Sequence, residues 1–218
     1  MKSLKELTSV KVNEIYFSIQ GESTYTGKPC IFIRLTGCDL RCSYCDSEYT
    51  FYEGNLVSFE DIFKKISEYP CRLVEITGGE PMIHQGTPLL AKKLLESGYK
   101  VLIETSGSQD LSTLDSRVIK ICDVKTPSSK EEGRFFWDNL KCLNATDQLK
   151  FVIGTREDFE FSQQWLNDHP TSAEIQFSTV FGTLPPDSLA DWILKSGINV
   201  RMQIQLHKVI WPQAARGV

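Results

Sequence analysis

The sequence predicts an α/β fold, an incomplete parallel (β/α) barrel of about six units. Three observations carry this. Apolar, β-branched runs recur at 30–35, 73–77, 101–105, 118–124, 149–153, 173–177 and 200–206, each with the length and composition of a strand. Amphipathic helical segments lie between several of them, and strand–helix–strand order implies parallel pairing through right-handed crossovers. Finally, unusual polar residues fall at or just after the strand ends: Cys38, Gly78 to Glu80, Ser106, Asp123 to Lys125, Gln176 to Ser178 and His207. Parallel barrels and open parallel sheets both place their sites there. Six or seven units are too few to close an eight-stranded barrel, which leaves an incomplete one with a cysteine loop on its strand C-terminal face.

The helices read as follows. Phe59, Ile62, Phe63 and Ile66 stand at i, i+3, i+4 and i+7, behind Ser58 as N-cap with Asp61 three residues on. A second helix begins at Thr87, carries Pro88 in its first turn, pairs Leu90 with Leu94 and Ala91 with Leu95, and stops at Gly98. A third places Leu189, Trp192 and Ile193 on one face.

Composition agrees with a single domain over 1–218. Hydrophobic residues make up 41%, charged residues 24% and aromatics 11%, which excludes disorder, collagen and coiled coil. The start, MKSLKELTSV, has no continuous apolar core and no small-residue cleavage site, and nowhere do eighteen apolar residues run together. A soluble cytoplasmic protein without membrane contact is expected. The formal charge of −4 comes with no concentrated basic face, which argues against nucleic acid as a partner. In a reducing cytosol the seven cysteines read as buried thiols or metal ligands.

Cys38, Cys42 and Cys45 lie in a C-x3-C-x2-C run directly after the first barrel-like strand. Three uses compete for them. A disulfide would leave one thiol over, and structural zinc wants four ligands, usually as two separated pairs. An iron–sulfur cluster with three protein thiolates would leave one iron open to something other than protein. Downstream, Thr77-Gly78-Gly79-Glu80-Pro81 closes the next strand. Its plain alternative is a glycine turn before proline; otherwise the glycines admit close backbone approach and Glu80 accepts hydrogen bonds from an ammonium. Ser106 and the run Asp123-Val124-Lys125 follow the next two strands as weaker signals. Cys30, Cys71, Cys122 and Cys142 lack mutual ligand spacing and read as buried small hydrophobes. His84 and His169 read as surface or loop residues, and His207, at a strand end, as a ligand-contact candidate.

The C-x3-C-x2-C run with the Gly-Gly-Glu-Pro cradle resembles the radical S-adenosylmethionine enzymes. That resemblance implies a 4Fe-4S cluster on Cys38, Cys42 and Cys45, with S-adenosyl-L-methionine on the open iron. It also implies cofactor contacts at Tyr44, Cys45, Asp46, Gly79, Glu80, Ser106, Asp123, Val124 and Lys125, and more loosely at Gln176. The segment from Glu14 to Ser23 (EIYFSIQGES), Arg34 on the strand entering the cysteine loop, and Asp46-Ser47 directly after it resemble the 7-carboxy-7-deazaguanine synthases of queuosine biosynthesis, over essentially the whole chain.

The finer resemblance implies a carbon–nitrogen lyase acting on 6-carboxy-5,6,7,8-tetrahydropterin. A 5'-deoxyadenosyl radical would take hydrogen from C6, the ring would contract with loss of ammonia, and the hydrogen would return so that the cofactor is regenerated. Ile19, Gln20, Gly21, Arg34 and Thr77 map onto substrate contacts, and the terminal Val218 is a candidate for closing the pocket. Ser47 maps onto a magnesium ligand, a position where many relatives carry threonine; as a plain alternative, Asp-Ser is a helix N-cap. A low-potential flavodoxin or ferredoxin as reductant and a homodimer are implied as well. Two rivals stand beside this reading: a glycyl-radical activating enzyme, which needs no pterin segment, and a zinc-organised binding module.

Overall fold

The computed structural model describes residues 8–212 and 216–218. Residues 1–7 of the leader reading, and residues 213–215 of the tail, lie outside the described residues. In chain order the elements are β1 Ser9–Ile19, β2 Pro29–Leu35, β3 Asn55–Ser58, α1 Phe59–Ile66, β4 Leu73–Gly78, α2 Thr87–Glu96, β5 Lys100–Thr105, β6 Ile119–Asp123, β7 Gln148–Ile153, α3 Arg156–Asp168, β8 Glu174–Thr179, α4 Pro186–Ser196, β9 Arg201–Gln203 and α5 Leu206–Ile210. The strands form one sheet in the order β3-β1-β2-β4-β5-β6-β7-β8-β9. From β2 to β9 every pairing is parallel. β1 runs antiparallel to both β2 and β3. Among the described residues the two edge strands do not pair, so the sheet is an incomplete barrel.

Local chemistry explains the helices that the sequence signals. Ser58 Oγ accepts from Asp61 N at 3.1 Å, the expected cap of α1. α2 starts at Thr87 with Pro88 in its first turn and ends before Gly98, whose φ of +82° is the left-handed stop. α3 lacks a clear apolar signal, although Thr155 and Asp158 form a reciprocal capping box. Its buried stripe is Asp158, Phe159, Ser162 and Trp165, half of it polar, which breaks the apolar periodicity. The β5–β6 and β6–β7 crossovers carry no α-helix. Buried Asn139 pins them by donating to the carbonyls of Gly107 and Gln109 and accepting from Leu111 N.

Strand periodicity gives the sheet two unlike faces. The helix-covered face holds Ile31, Ile33, Val74, Ile76, Val101, Ile103, Leu149 and Phe151 in the main core. On the inner face the strands begin apolar, with Cys30, Phe32, Leu73, Leu102, Ile119 and Ile121 forming an apolar plug. Toward their C-terminal ends the same face turns polar with Arg34, Thr77, Glu104, Asp123 and Lys150. Each fully buried large aliphatic or aromatic residue contributes about 1.5–3 kcal/mol, so the plug anchors the polar layer above it.

Three expectations shift. β1 and β3 add two strands that the apolar runs do not signal. The run 200–206 shrinks to Arg201–Gln203, because Leu206 opens α5. β8 continues to Thr179, which puts Gln176 mid-strand and not at a strand end. Among the described residues no helix is long and apolar enough to cross a membrane.

Candidate active site

The polar inner face opens on a cavity of about 930 Å³. Its mouth carries the cysteine loop between β2 and β3. Cys38, Cys42 and Cys45 are free thiols of intermediate exposure, and all three line the cavity. Burial pushes the Cys38 thiol up to about 11; at Cys42 burial also raises the pKa, with the Lys125 ammonium working against it. Cys30 and Cys122 are fully buried away from the loop, and Cys71 Sγ bonds Pro29 O at 3.2 Å.

The glycine pair has a sharper role than a turn. Gly78 has φ +140°, and a Cβ there would stand 2.2 Å from Leu35 O. A Cβ on Gly79 would stand 2.1 Å from Gly37 O and 2.8 Å from Cys38 Cβ. Only glycine lets the β4 end lie against the backbone entering the cysteine loop, and Glu80 N seals the contact with a 2.8 Å bond to Gly37 O. Glu80 itself is fully buried. Its carboxylate accepts from Met82 N, Thr105 Oγ1, Ser106 N and Ser106 Oγ at 2.6–2.9 Å, and it is not part of the cavity lining. Burial raises its pKa against those hydrogen bonds.

Of the other expected cofactor positions, Tyr44, Asp46, Gly79, Ser106, Asp123 and Lys125 line the cavity, while Val124 and Gln176 do not. Gln176 is buried and donates to Gln148 Oε1 at 2.6 Å. Lys125 and Asp123 pair at 2.5 Å, which holds Lys125 protonated despite its burial. On the substrate side the structure brings together Ile19, Gln20, Gly21, Arg34, Thr77 and Val218. Arg34 is tied through Nε to Glu14 at 2.8 Å and through Nη2 to the Tyr16 hydroxyl. Ser47 takes the N-cap position of a 3-10 turn, Glu48–Phe51, but its side chain makes no capping bond. The hydroxyl instead shares a long hydrogen bond of 4.0 Å with Cys45 Sγ. Among the described residues no three His, Cys, Asp or Glu side chains gather to single-ion spacing.

Sequence reasoning missed the charged layer at the cavity floor. Lys150 Nζ lies 3.0 Å from Glu22, 2.5 Å from Glu104 and 3.4 Å from Asp123. Burial raises the Glu22 pKa, and Lys150 overrides this to bring it down to about 2. Glu75 sits below them, pushed up to about 8 by burial and by nearby Glu104. A charge at alternate positions of otherwise apolar strands was the available signal. Over the mouth lies α5, which buries no residue of its own. It is tied by Leu206 N to Gly21 O and by Lys208 Nζ to Asp46 at 2.6 Å, and His207, which lies on this helix and not at a strand end, lines the cavity. His84 is instead half-buried on Thr36 O.

An open parallel barrel with three free thiols, a glycine-packed cradle and one shared cavity at its strand C-termini defines a radical S-adenosylmethionine enzyme, and a radical SAM superfamily profile matches residues 32–123. A 7-carboxy-7-deazaguanine synthase from Koribacter versatilis is 44% identical over 96% of this chain and 100% of its own length. One from Chlorobaculum tepidum is 37% identical over 96% and 97%. The crystal structure of QueE from Escherichia coli superposes with a TM-score of 0.78 at 24% identity, covering 95% of this chain and all of that one. The chain belongs to the 7-carboxy-7-deazaguanine synthase family, lyases of queuosine biosynthesis within the radical SAM superfamily. A 4Fe-4S cluster and S-adenosyl-L-methionine come with that membership. The residues present fit them: the thiols are unpaired, they share the cavity, and the glycine cradle lies against Cys38.

Proposed function

We propose that this chain, as a single domain over 1–218, converts 6-carboxy-5,6,7,8-tetrahydropterin to 7-carboxy-7-deazaguanine with loss of ammonia. The observation that carries the reading is the single cavity. It joins the three-thiol loop to the wall of Ile19, Gln20, Gly21, Arg34 and Thr77, with the uncapped Ser47 hydroxyl between them. A glycyl-radical activating enzyme acts on a protein and has no need of this substrate wall.

Bound in the cavity, S-adenosyl-L-methionine would supply the one-electron chemistry that activates the substrate's C–H bond. Everything else falls to the chain. Cys38, Cys42 and Cys45 would hold the cluster. Tyr44, Asp46, Gly79, Ser106, Asp123, Val124 and Lys125 serve the cofactor, as does Gln176 from a buried position. Glu80 serves it by holding Thr105 and Ser106 in place. Arg34 offers a cation to the substrate carboxylate, with Glu14 and Tyr16 fixing its plane. Ser47 would offer magnesium a hard oxygen ligand. Gly21, Thr77 and Val218 would hold the ring in the cavity.

A cytoplasmic homodimer reduced by a flavodoxin or ferredoxin completes the reading. Anaerobic incubation with the tetrahydropterin, S-adenosyl-L-methionine and a low-potential reductant, followed by mass analysis, tests it. The expected product is 7-carboxy-7-deazaguanine. Cofactor cleavage with the pterin unchanged would refute the assignment while leaving the radical chemistry intact.

A further inference from the structure

At its closed end the cavity presents an arrangement that the proposed roles leave unused. Glu75 projects from β4 on the inner face, level with Phe32 of β2 and Leu102 of β5. It stands one rung below Thr77, whose hydroxyl donates to Glu104 at 3.2 Å. The residue is 1% exposed and lines the cavity. Its Oε2 accepts from Gln20 Nε2 at 2.9 Å. Gln20 Oε1 is taken by the backbone N–H groups of Glu22 and Ser23, so the amide orientation is fixed. Among the described residues no hydrogen bond reaches Glu75 Oε1, the oxygen left for the cavity.

The neighbouring side chains are otherwise engaged. Lys150 is shared by Glu22, Glu104 and Asp123. Arg34 is tied through Nε and Nη2, and Thr77 donates to Glu104. The floor is therefore rich in ionised acceptors and poor in uncommitted donors. An aminopyrimidinone ring carries both kinds of group: N–H donors that the carboxylates satisfy, and a carbonyl oxygen and a ring nitrogen that need a donor.

Resting on the pterin reading above, we propose that Glu75 is a specificity-determining residue that stays a neutral acid and donates its Oε1 hydrogen to an acceptor atom of the substrate's pyrimidinone ring. Its surroundings favour that form. Phe32 and Leu102 flank it in the sheet, Glu104 of β5 and Glu22 after β1 repel a further negative charge, and the Tyr16 hydroxyl and Cys30 thiol facing it are neutral. The Lys150 ammonium acts the other way, but it is shared by Glu22, Glu104 and Asp123. With the acid titrating at about 8, its neutral fraction falls about tenfold between pH 7 and pH 9.

The test titrates cluster-loaded protein with 6-carboxypterin, an oxidised and unreactive ring of the same polarity, following ligand fluorescence at both pH values. Glu75→Gln keeps an N–H donor and an acceptor for Gln20. It should bind within about threefold of wild type at pH 7 and about tenfold more tightly than wild type at pH 9. Glu75→Leu should bind about tenfold more weakly at pH 7, the cost of one unmet hydrogen bond. The ligand's own ionisation is common to all three proteins and cancels in the ratios. A Gln variant as weak as the Leu variant would show that an ionised acceptor is needed and overturn the proposal. So would a Leu variant as tight as wild type, which would reduce Glu75 to a prop for Gln20. Failure of folded wild type to bind the pterin at all would instead overturn the functional reading on which this rests, and the proposal with it.

Discussion

Replacing Lys150 by Met removes the ammonium that Glu22, Glu104 and Asp123 share while roughly keeping its volume. The Glu22 carboxyl titrates at about 2 in the folded protein against an ordinary 4.5, because Lys150 outweighs the opposing effect of burial. That difference is worth about 3 kcal/mol, in line with the roughly 3–5 kcal/mol that follows removal of one partner from a buried ion pair. For a chain of this length the variant should melt about 10 °C lower at pH 7. The sign with pH follows from a depressed carboxyl. Its contribution is fully present above about pH 4.5 and is lost as the pH falls toward about 2, with more than half gone by about pH 3. Urea unfolding of wild type and Lys150→Met between pH 7 and pH 3 should therefore show a gap that narrows in acid. A gap under about 1 kcal/mol at pH 7, or one that stays constant down to pH 3, would mean that Lys150 is not what holds these carboxylates ionised.

Three further outcomes follow from the site. Cys38→Ala, Cys42→Ala and Cys45→Ala should each abolish cluster assembly, while Cys71→Ala retains it; iron content and absorbance after anaerobic reconstitution decide, and an equal need for Cys71 would end the open-iron reading. Glu80→Ala should keep the cluster but weaken S-adenosyl-L-methionine binding by about tenfold or more, since Thr105 and Ser106 lose their acceptor; unchanged affinity by calorimetry would reduce Glu80 to a structural strut. Ser47→Ala should blunt magnesium stimulation by about tenfold in apparent metal affinity and Ser47→Thr should preserve it, with identical metal curves removing Ser47 from the site.

Motifs confined to a few neighbouring residues are legible in the amino-acid sequence alone. The cysteine spacing, the Gly-Gly-Glu-Pro run and Asp46-Ser47 all lie at or beyond the strand ends of a parallel sheet, as their place after apolar runs implies. Function carried by the third dimension is less so. Lys120 and Lys150 both interrupt apolar strands, yet Lys120 faces the helix side in a buried pair with Asp147 at 3.4 Å while Lys150 faces the cavity. Only the register of the sheet tells them apart. Glu75 is hidden for the same reason. β1 is hidden because a register shift between Val12 and Glu14 interrupts its alternation of apolar and polar residues.

The contact between Gly79 and the Gly37–Cys38 backbone joins two motifs that lie some forty residues apart into one inseparable part. A larger residue at 79 would push directly on a cluster cysteine, so neither loop is free to vary without the other. Grafting the cysteine loop onto another open barrel would then require moving 37–47 together with 77–80, and a chimera carrying either segment alone would assemble neither half of the cofactor site.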